Sequence, residues 1–182
     1  MTAPHASLAP SAWVQRWSHL IKPGATLLDV ACGTGRHVRW FAQRGCRVTA
    51  LDRDAVALQP LQGLAEICVA DIEAAPWPLV ARRFDAVLVT NYLWRELLPT
   101  LVDSVADGGV LIYETFAVGN ETVGKPSNPK FLLRPAELLT AARDLHVVAY
   151  ENGCLTEPER FVQRLVAVRQ SVLQAQTSGH RL

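Results

Sequence analysis

The sequence predicts a three-layer α/β domain on a mainly parallel seven-stranded sheet, with an antiparallel hairpin at one edge. Three observations predict it. Short apolar runs alternate with stretches of helical spacing along the 182 residues, and that alternation requires crossover connections between parallel strands. The first run, "TLLDVA", is continuously apolar, as expected for a strand covered on both faces. The last two runs are joined without room for a helix, which fits an antiparallel pair.

Taken in order, Ser11 caps a short helix over "AWVQRWSHLI" that "KPG" stops. "TLLDVA" is the first strand. "GRHVRWFAQRG" carries Val38, Phe41 and Ala42 at helical spacing and closes at Gly45. "CRVTALD" is the second strand. "RDAVALQPLQ" is a short helix with Asp54 as cap and Pro60 disrupting its end. "AEICVAD" and "FDAVLVTN" are the third and fourth strands. "PTLVDSVADGG" is read as a helix, with Pro99 in its first turn and glycine at its stop. "GVLIYETF" is the fifth strand, "RPAELLTAAR" a helix, and "LHVVAYEN" the sixth strand. After Asn152-Gly153, "RFVQRLVAVRQ" alternates as a seventh. Residues 1–10 read as a loose N-terminus and 11–182 as one domain.

Composition narrows the function classes. Hydrophobic residues make up 49% and charged residues 19%, enough to bury a sizeable core. A net charge of +1 gives no general pull toward nucleic acid or anionic membrane. No apolar run approaches the roughly 20 residues of a membrane helix. The N-terminal stretch lacks the basic start and apolar core of a signal peptide. Cys32, Cys46, Cys68 and Cys154 form no C-x-x-C pair and no zinc cluster. A reduced, cytoplasmic protein is the expectation. The oligomeric state is not readable.

"LLDVACGTGRHVRW" carries the main signal. Gly33 and Gly35 allow a ligand to approach the backbone at the end of the first strand. A dinucleotide turn would continue as G-x-G-x-x-G, but Val38 stands at the third position. Asp52, ending the second strand, can accept from ribose hydroxyls and would disfavour a 2′-phosphate. Asp71, ending the third, can accept from an adenine amino group.

Here the sequence resembles the class I S-adenosylmethionine-dependent methyltransferases. The resemblance runs through "LLDVACGTG", "VTALDRD", "VADIE", "FDAVLVTN" and "VADGGVLIYE", in that order, from about Thr26 to Arg169. It implies a Rossmann-like fold and S-adenosyl-L-methionine as cofactor. By resemblance, Asp29 and the Ala31, Cys32, Gly33 to Gly35 backbone hold the methionine part. Asp52 binds the ribose, Arg53 flanks the adenine, Asp71 and Ile72 contact it, and Asn91 lies near the methyl group. Ala31 stands where many relatives have glycine. A looser likeness is to the small tellurite-resistance, chalcogen-methylating enzymes, whose glycine turn is likewise followed by arginine.

Methyl transfer needs positioning and water exclusion more than a catalytic cluster. The expected acceptor side lies where the fourth and fifth strands end. "TNYLWRELLP" lacks the N-P-P-Y tetrapeptide of many base- and amide-methylating relatives; Tyr92 and Arg95 are its candidates. Glu114 in "YETF" is a candidate base, against a structural role or one orienting Arg95 or Arg134. The long loop "AVGNETVGKPSNPKFLLRP" reads as a lid or acceptor wall bringing Lys125, Asn128, Lys130 and Arg134. If those side chains point inward, the acceptor is an anion. His37 reads as a packing or surface histidine. Arg36, a cation at a helix start, implies a carboxylate nearby, either protein or ligand.

The leading reading is therefore methyl transfer from S-adenosylmethionine to a small-molecule acceptor. Others are an RNA or protein methyltransferase, a non-catalytic cofactor-binding or regulatory protein and, weakest, an NAD-dependent oxidoreductase. The near-neutral charge argues against nucleic acid.

Overall fold

The computed structural model describes residues 9–170; expectations for 1–8 and 171–182 lie outside the described residues. Its sheet contains β1 (Thr26–Val30), β2 (Arg47–Asp52), β3 (Glu66–Val69), β4 (Phe84–Thr90), β5 (Val105–Phe116), β6 (His146–Thr156) and β7 (Glu159–Val168). The strand order is β3-β2-β1-β4-β5-β7-β6. The first five strands are parallel, and β7 runs antiparallel between β5 and β6. The order reverses between β1 and β4, so a crevice opens at their carboxyl ends.

Among the described residues five short helices cover the sheet: α1 (Ala12–Trp17), α2 (Arg36–Ala42), α3 (Ala55–Leu58), α4 (Leu98–Asp103) and α5 (Glu137–Ala141). Two starts follow the expected capping chemistry. Ser11 Oγ accepts from the Trp13 N–H, and Asp54 accepts from Val56 and Ala57.

Strand alternation divides the core into two apolar layers. Leu27, Ala86, Leu88, Val110, Ile112 and Val166 pack with Trp13, Trp17 and Phe41 on the α1–α2–α3 side. Leu28, Val87, Val89, Leu111, Tyr113 and Leu165 pack with Leu101 and Leu138 on the α4–α5 side. The same alternation carries Asp29, Glu114 and Arg164 onto the α1–α2 face, at the end where the crevice opens.

Two boundaries differ from the sequence reading. The helix expected over "PTLVDSVADGG" stops at Asp103, and Val105 already pairs with Phe84. Pairing and burial of Val105 win over the helical pattern, and the register shift between Phe84 and Ala86 absorbs the extra residues. Asn152-Gly153 does not form the hairpin turn. It lies within β6, opposite Gln163 and Val162, and the chain reverses at Glu157–Pro158. The loop after β5 contains only single 3-10 turns, at Asn120–Thr122 and Pro129–Phe131.

Candidate functional site

The crevice begins with the turn after β1. Ala31, Gly33 and Gly35 all have positive φ, at 51, 55 and 75°. The two glycines serve different purposes. A Cβ on Gly35 would lie 2.5 Å from Leu61 Cδ1, so this glycine lets α2 pack against the segment after α3. A Cβ on Gly33 would meet no atom within 4 Å, so that side of the turn is open to a ligand. Ala31 carries its methyl group in a left-handed conformation that costs a non-glycine residue about 1 kcal/mol.

Asp29 lies beneath this turn. It is 1% exposed, and neither carboxylate oxygen has a hydrogen-bond partner among the described residues. Burial pushes its pKa up to about 8, partly offset by Arg36. A buried carboxyl group without partners is costly unless a donor reaches it. The site thus has a place for a cationic or N–H-donating ligand group.

The ends of β2 and β3 form the next wall. Asp52 Oδ2 accepts from the Gly33 N–H at 2.7 Å, and Oδ1 from Asp54 at 2.9 Å. Each oxygen retains acceptor capacity for a hydroxyl. Asp71 Oδ1 accepts from Glu73 and Ala74, which fixes the following turn. Ala31, Asp52, Arg53, Asp71, Ile72, Glu73 and Tyr92 surround a cavity of ≈ 160 Å³. The structure thus brings together Asp52, Arg53, Asp71 and Ile72 as one wall.

Tyr92 departs from its expected place. It lines this cavity instead of standing on a separate acceptor side. Its hydroxyl is buried and makes no hydrogen bond of ordinary geometry. Burial, with Glu73 alongside, pushes its pKa up, which disfavours a proton-accepting role. Asn91 is exposed at the end of β4 with φ 55°, and its N–H donates to the Glu114 carbonyl.

Glu114 is fully engaged. Its Oε1 accepts from Ser11 Oγ at 2.9 Å, and Oε2 from Arg164 Nε at 2.6 Å. Arg160 lies 3.7 Å from Oε1. Arg164 also meets Glu151, which in turn pairs with Arg16. The partners are Arg160 and Arg164, not the expected Arg95 or Arg134. With both oxygens occupied, Glu114 reads as a structural carboxylate instead of a base.

Arg95 is likewise committed. It holds Glu137 through Nε at 2.6 Å and donates to the carbonyls of Lys130 and Leu132, each at 2.7 Å. It therefore clamps the long loop to α5 and has no donor pattern left for an acceptor. Arg134 is exposed and lines a separate groove of ≈ 630 Å³ between α4 and α5, which shares no residue with the nucleoside cavity. Lys125 donates to Ser127, and the Asn128 side chain accepts from the Lys130 backbone. The inward-pointing basic lid is not what the loop forms.

Two residues beside the turn gain an account. His37 Nε2 accepts from the Ser11 N–H at 3.1 Å, and burial pushes its pKa down to about 3. It is a neutral packing histidine. Arg36 is only half-buried, and it faces the carboxylates of Glu114 and Asp29.

Residues 27–109 match the family model described as a methyltransferase domain, and that span contains the turn, the β1–β4 reversal and the acidic strand ends. That match supports a class I S-adenosylmethionine-dependent methyltransferase domain over those residues. Its curated relatives include the malonyl-acyl-carrier-protein O-methyltransferase of Serratia marcescens, 35% identical over 107 residues, covering 54% of this chain and 41% of that protein. The Salmonella typhimurium protein of the same name is 36% identical over 104 residues, covering 53% and 41%. The chain therefore spans about two-fifths of the length of these relatives. Among solved structures, TehB from Haemophilus influenzae superposes with a TM-score of 0.71 at 20% identity, covering 89% of this chain and 63% of that one. The N-methyltransferase NodS from Bradyrhizobium japonicum gives 0.65 at 17%, covering 87% and 93%. At these identities the structural likeness concerns the fold alone. No helix among the described residues of this methyltransferase domain is long and apolar enough to cross a membrane.

Sequence reasoning missed Ser11, Glu73, Arg160 and Arg164. One signal was available: in "RFVQRLVAVRQ", Arg160 and Arg164 share alternation with Val162 and Val166, and hence a covered face.

Proposed function

We propose that the chain transfers a methyl group from S-adenosylmethionine to a small acceptor bearing a carboxylate. The observation that carries the cofactor half is the buried, partnerless carboxyl group of Asp29 beneath the open side of Gly33. An α-ammonium group supplies the missing donors and a compensating charge. In this reading Asp52 holds the ribose hydroxyls, and Asp71, Ile72, Arg53 and Tyr92 enclose the adenine. Asn91 borders the cofactor at the strand reversal. When bound, S-adenosylmethionine supplies an electrophilic methyl group on a positively charged sulfur.

The acceptor half rests on what the chain offers as a base. Glu114 is engaged by Ser11 and Arg164, and burial makes the Tyr92 hydroxyl harder to ionise. A carboxylate acceptor is already ionised at neutral pH and needs no base. The chain would then contribute orientation and exclusion of water. A second reading, an acyl acceptor presented on a carrier protein, is favoured by the names of the curated relatives.

Thermal shift and labelled methyl transfer test both halves. S-adenosylhomocysteine is expected to raise the unfolding temperature by binding the folded state. Label from S-adenosylmethionine is expected on a free malonyl thioester in the small-acceptor reading, and only on the carrier-bound form in the second. Stabilisation by NAD and none by S-adenosylhomocysteine would overturn the cofactor assignment.

A further inference from the structure

We infer that Arg36 and Arg160 together receive a carboxylate beside the glycine turn, an inference that rests on the cofactor reading above. The Arg36 guanidinium makes no hydrogen bond or ion pair with a described residue, although it is half-buried. It stands within electrostatic reach of Glu114, Asp29 and Arg160. The Arg160 Nε is buried without a hydrogen-bond partner among the described residues, and the ion-pair contact of that side chain, 3.7 Å to Glu114 Oε1, is too long for a hydrogen bond. Glu114 already accepts from Ser11 and Arg164, and it makes no hydrogen bond to Arg36 or Arg160 among the described residues.

The local charge does not balance. Arg16, Arg36, Arg160 and Arg164 are four cations, and Glu114 and Glu151 are two anions. The difference is two positive charges (4 − 2). Asp29 does not close the gap near neutral pH while its carboxyl group keeps its proton. Partly desolvated guanidinium groups short of hydrogen-bond acceptors are costly, and an anion relieves that cost. The planar fork of arginine matches a carboxylate in particular. Arg36 is within electrostatic reach of Asp29, so a cationic and an anionic ligand group can be bound near each other.

Two carboxylates could reach this place: that of the amino-acid end of the cofactor, or that of the acceptor. Calorimetry on wild type, Arg36→Gln and Arg160→Gln separates them. The probes are S-adenosylhomocysteine, 5′-methylthioadenosine (the same nucleoside thioether without the amino acid), and malonate added to the S-adenosylhomocysteine complex. A cofactor carboxylate predicts that Arg36→Gln weakens S-adenosylhomocysteine about tenfold or more, with methylthioadenosine unchanged. An acceptor carboxylate predicts unchanged S-adenosylhomocysteine and a similar loss for malonate. Arg36→Lys should recover part of the affinity, because charge remains and the fork does not. Unfolding midpoints are expected to stay near wild type for Arg36→Gln, which breaks no hydrogen bond among the described residues. If wild type binds S-adenosylhomocysteine and neither variant changes either probe, the inference is wrong and the cofactor reading stands. A wild type that binds neither nucleoside overturns both.

Discussion

Replacing Asp29 with asparagine separates stability from binding in one residue. The folded Asp29 carboxyl group has its pKa raised to about 8, against 3.8 for an unperturbed aspartate. Between those values the folded protein keeps a proton that the unfolded chain releases. Stability from this group is therefore complete below pH 3.8 and is lost as pH rises toward 8. His37 acts in the opposite sense. Its pKa is pushed down to about 3, so its contribution is lost as pH falls through the range from 6.5 to 3. The two trends oppose each other below pH 6.5, and the Asp29 effect is clearest between 6.5 and 8. One proton is worth at most about 1.4 kcal/mol per pH unit, so wild type should lose about 1.5 kcal/mol over that window. The substituted asparagine has no proton to lose. Urea unfolding of both proteins at about pH 6.5 and 8 should show the variant gaining by that amount relative to wild type. The same substitution removes the charge that meets an ammonium group, so S-adenosylhomocysteine should bind about 1.5–3 kcal/mol more weakly. Wild type should also release a proton on binding at about pH 7, seen as a dependence of the calorimetric heat on buffer. A stability gap that is equal at both pH values, with undiminished affinity in the variant, would refute the reasoning.

The two glycines of the turn should respond differently. Gly35→Ala drives a Cβ into Leu61 and should cost roughly 1–3 kcal/mol of folding stability in urea titrations, whereas Gly33→Ala should fold with only about 1 kcal/mol of backbone strain and lose S-adenosylhomocysteine affinity. Asp52→Ala should weaken that ligand by roughly 1–3 kcal/mol in calorimetry, and unchanged affinity in a folded variant would remove Asp52 from the site. Tyr92→Ala should weaken methylthioadenosine and S-adenosylhomocysteine alike, because the residue lines the nucleoside cavity; a loss confined to the latter would put Tyr92 at the methionine end.

What the sequence made legible follows from how local each feature is. The cradle residues lie at strand ends and in one tight turn, so strand periodicity and glycine chemistry bring Asp29, Gly33, Asp52 and Asp71 to one edge. The acceptor side depends on pairings remote in sequence. Arg95 meets Glu137 across 42 residues, and Glu114 meets Arg164 across 50. An arginine that will clamp a loop reads the same along the chain as one that will bind a ligand. Asn152-Gly153 misleads for a related reason: the pair suits a tight hairpin, but register against β7 is set by the apolar face of that strand, which carries pairing on to Thr156.

Asp29, Glu114, Arg160 and Arg164 share one face of the sheet, at its crevice end. Along β1, β5 and β7 the residues nearer the middle of the sheet on that face are Leu27, Ile112 and Val166, which pack against α1 and α2. Two residues further toward the crevice, the same alternation delivers charge instead of hydrocarbon. Those charges are desolvated by helices whose first purpose is to cover the core. Ser11 joins the two functions: its hydroxyl caps α1 and donates to Glu114, while its N–H is taken by His37. Glu114 and His37 are therefore satisfied by the framework, whereas among the described residues Asp29, Arg36 and Arg160, like the Trp17 indole N–H, are left short of hydrogen-bond partners. An acid that can release its proton, with Arg36 within electrostatic reach of it, is the complement of a ligand that carries both signs.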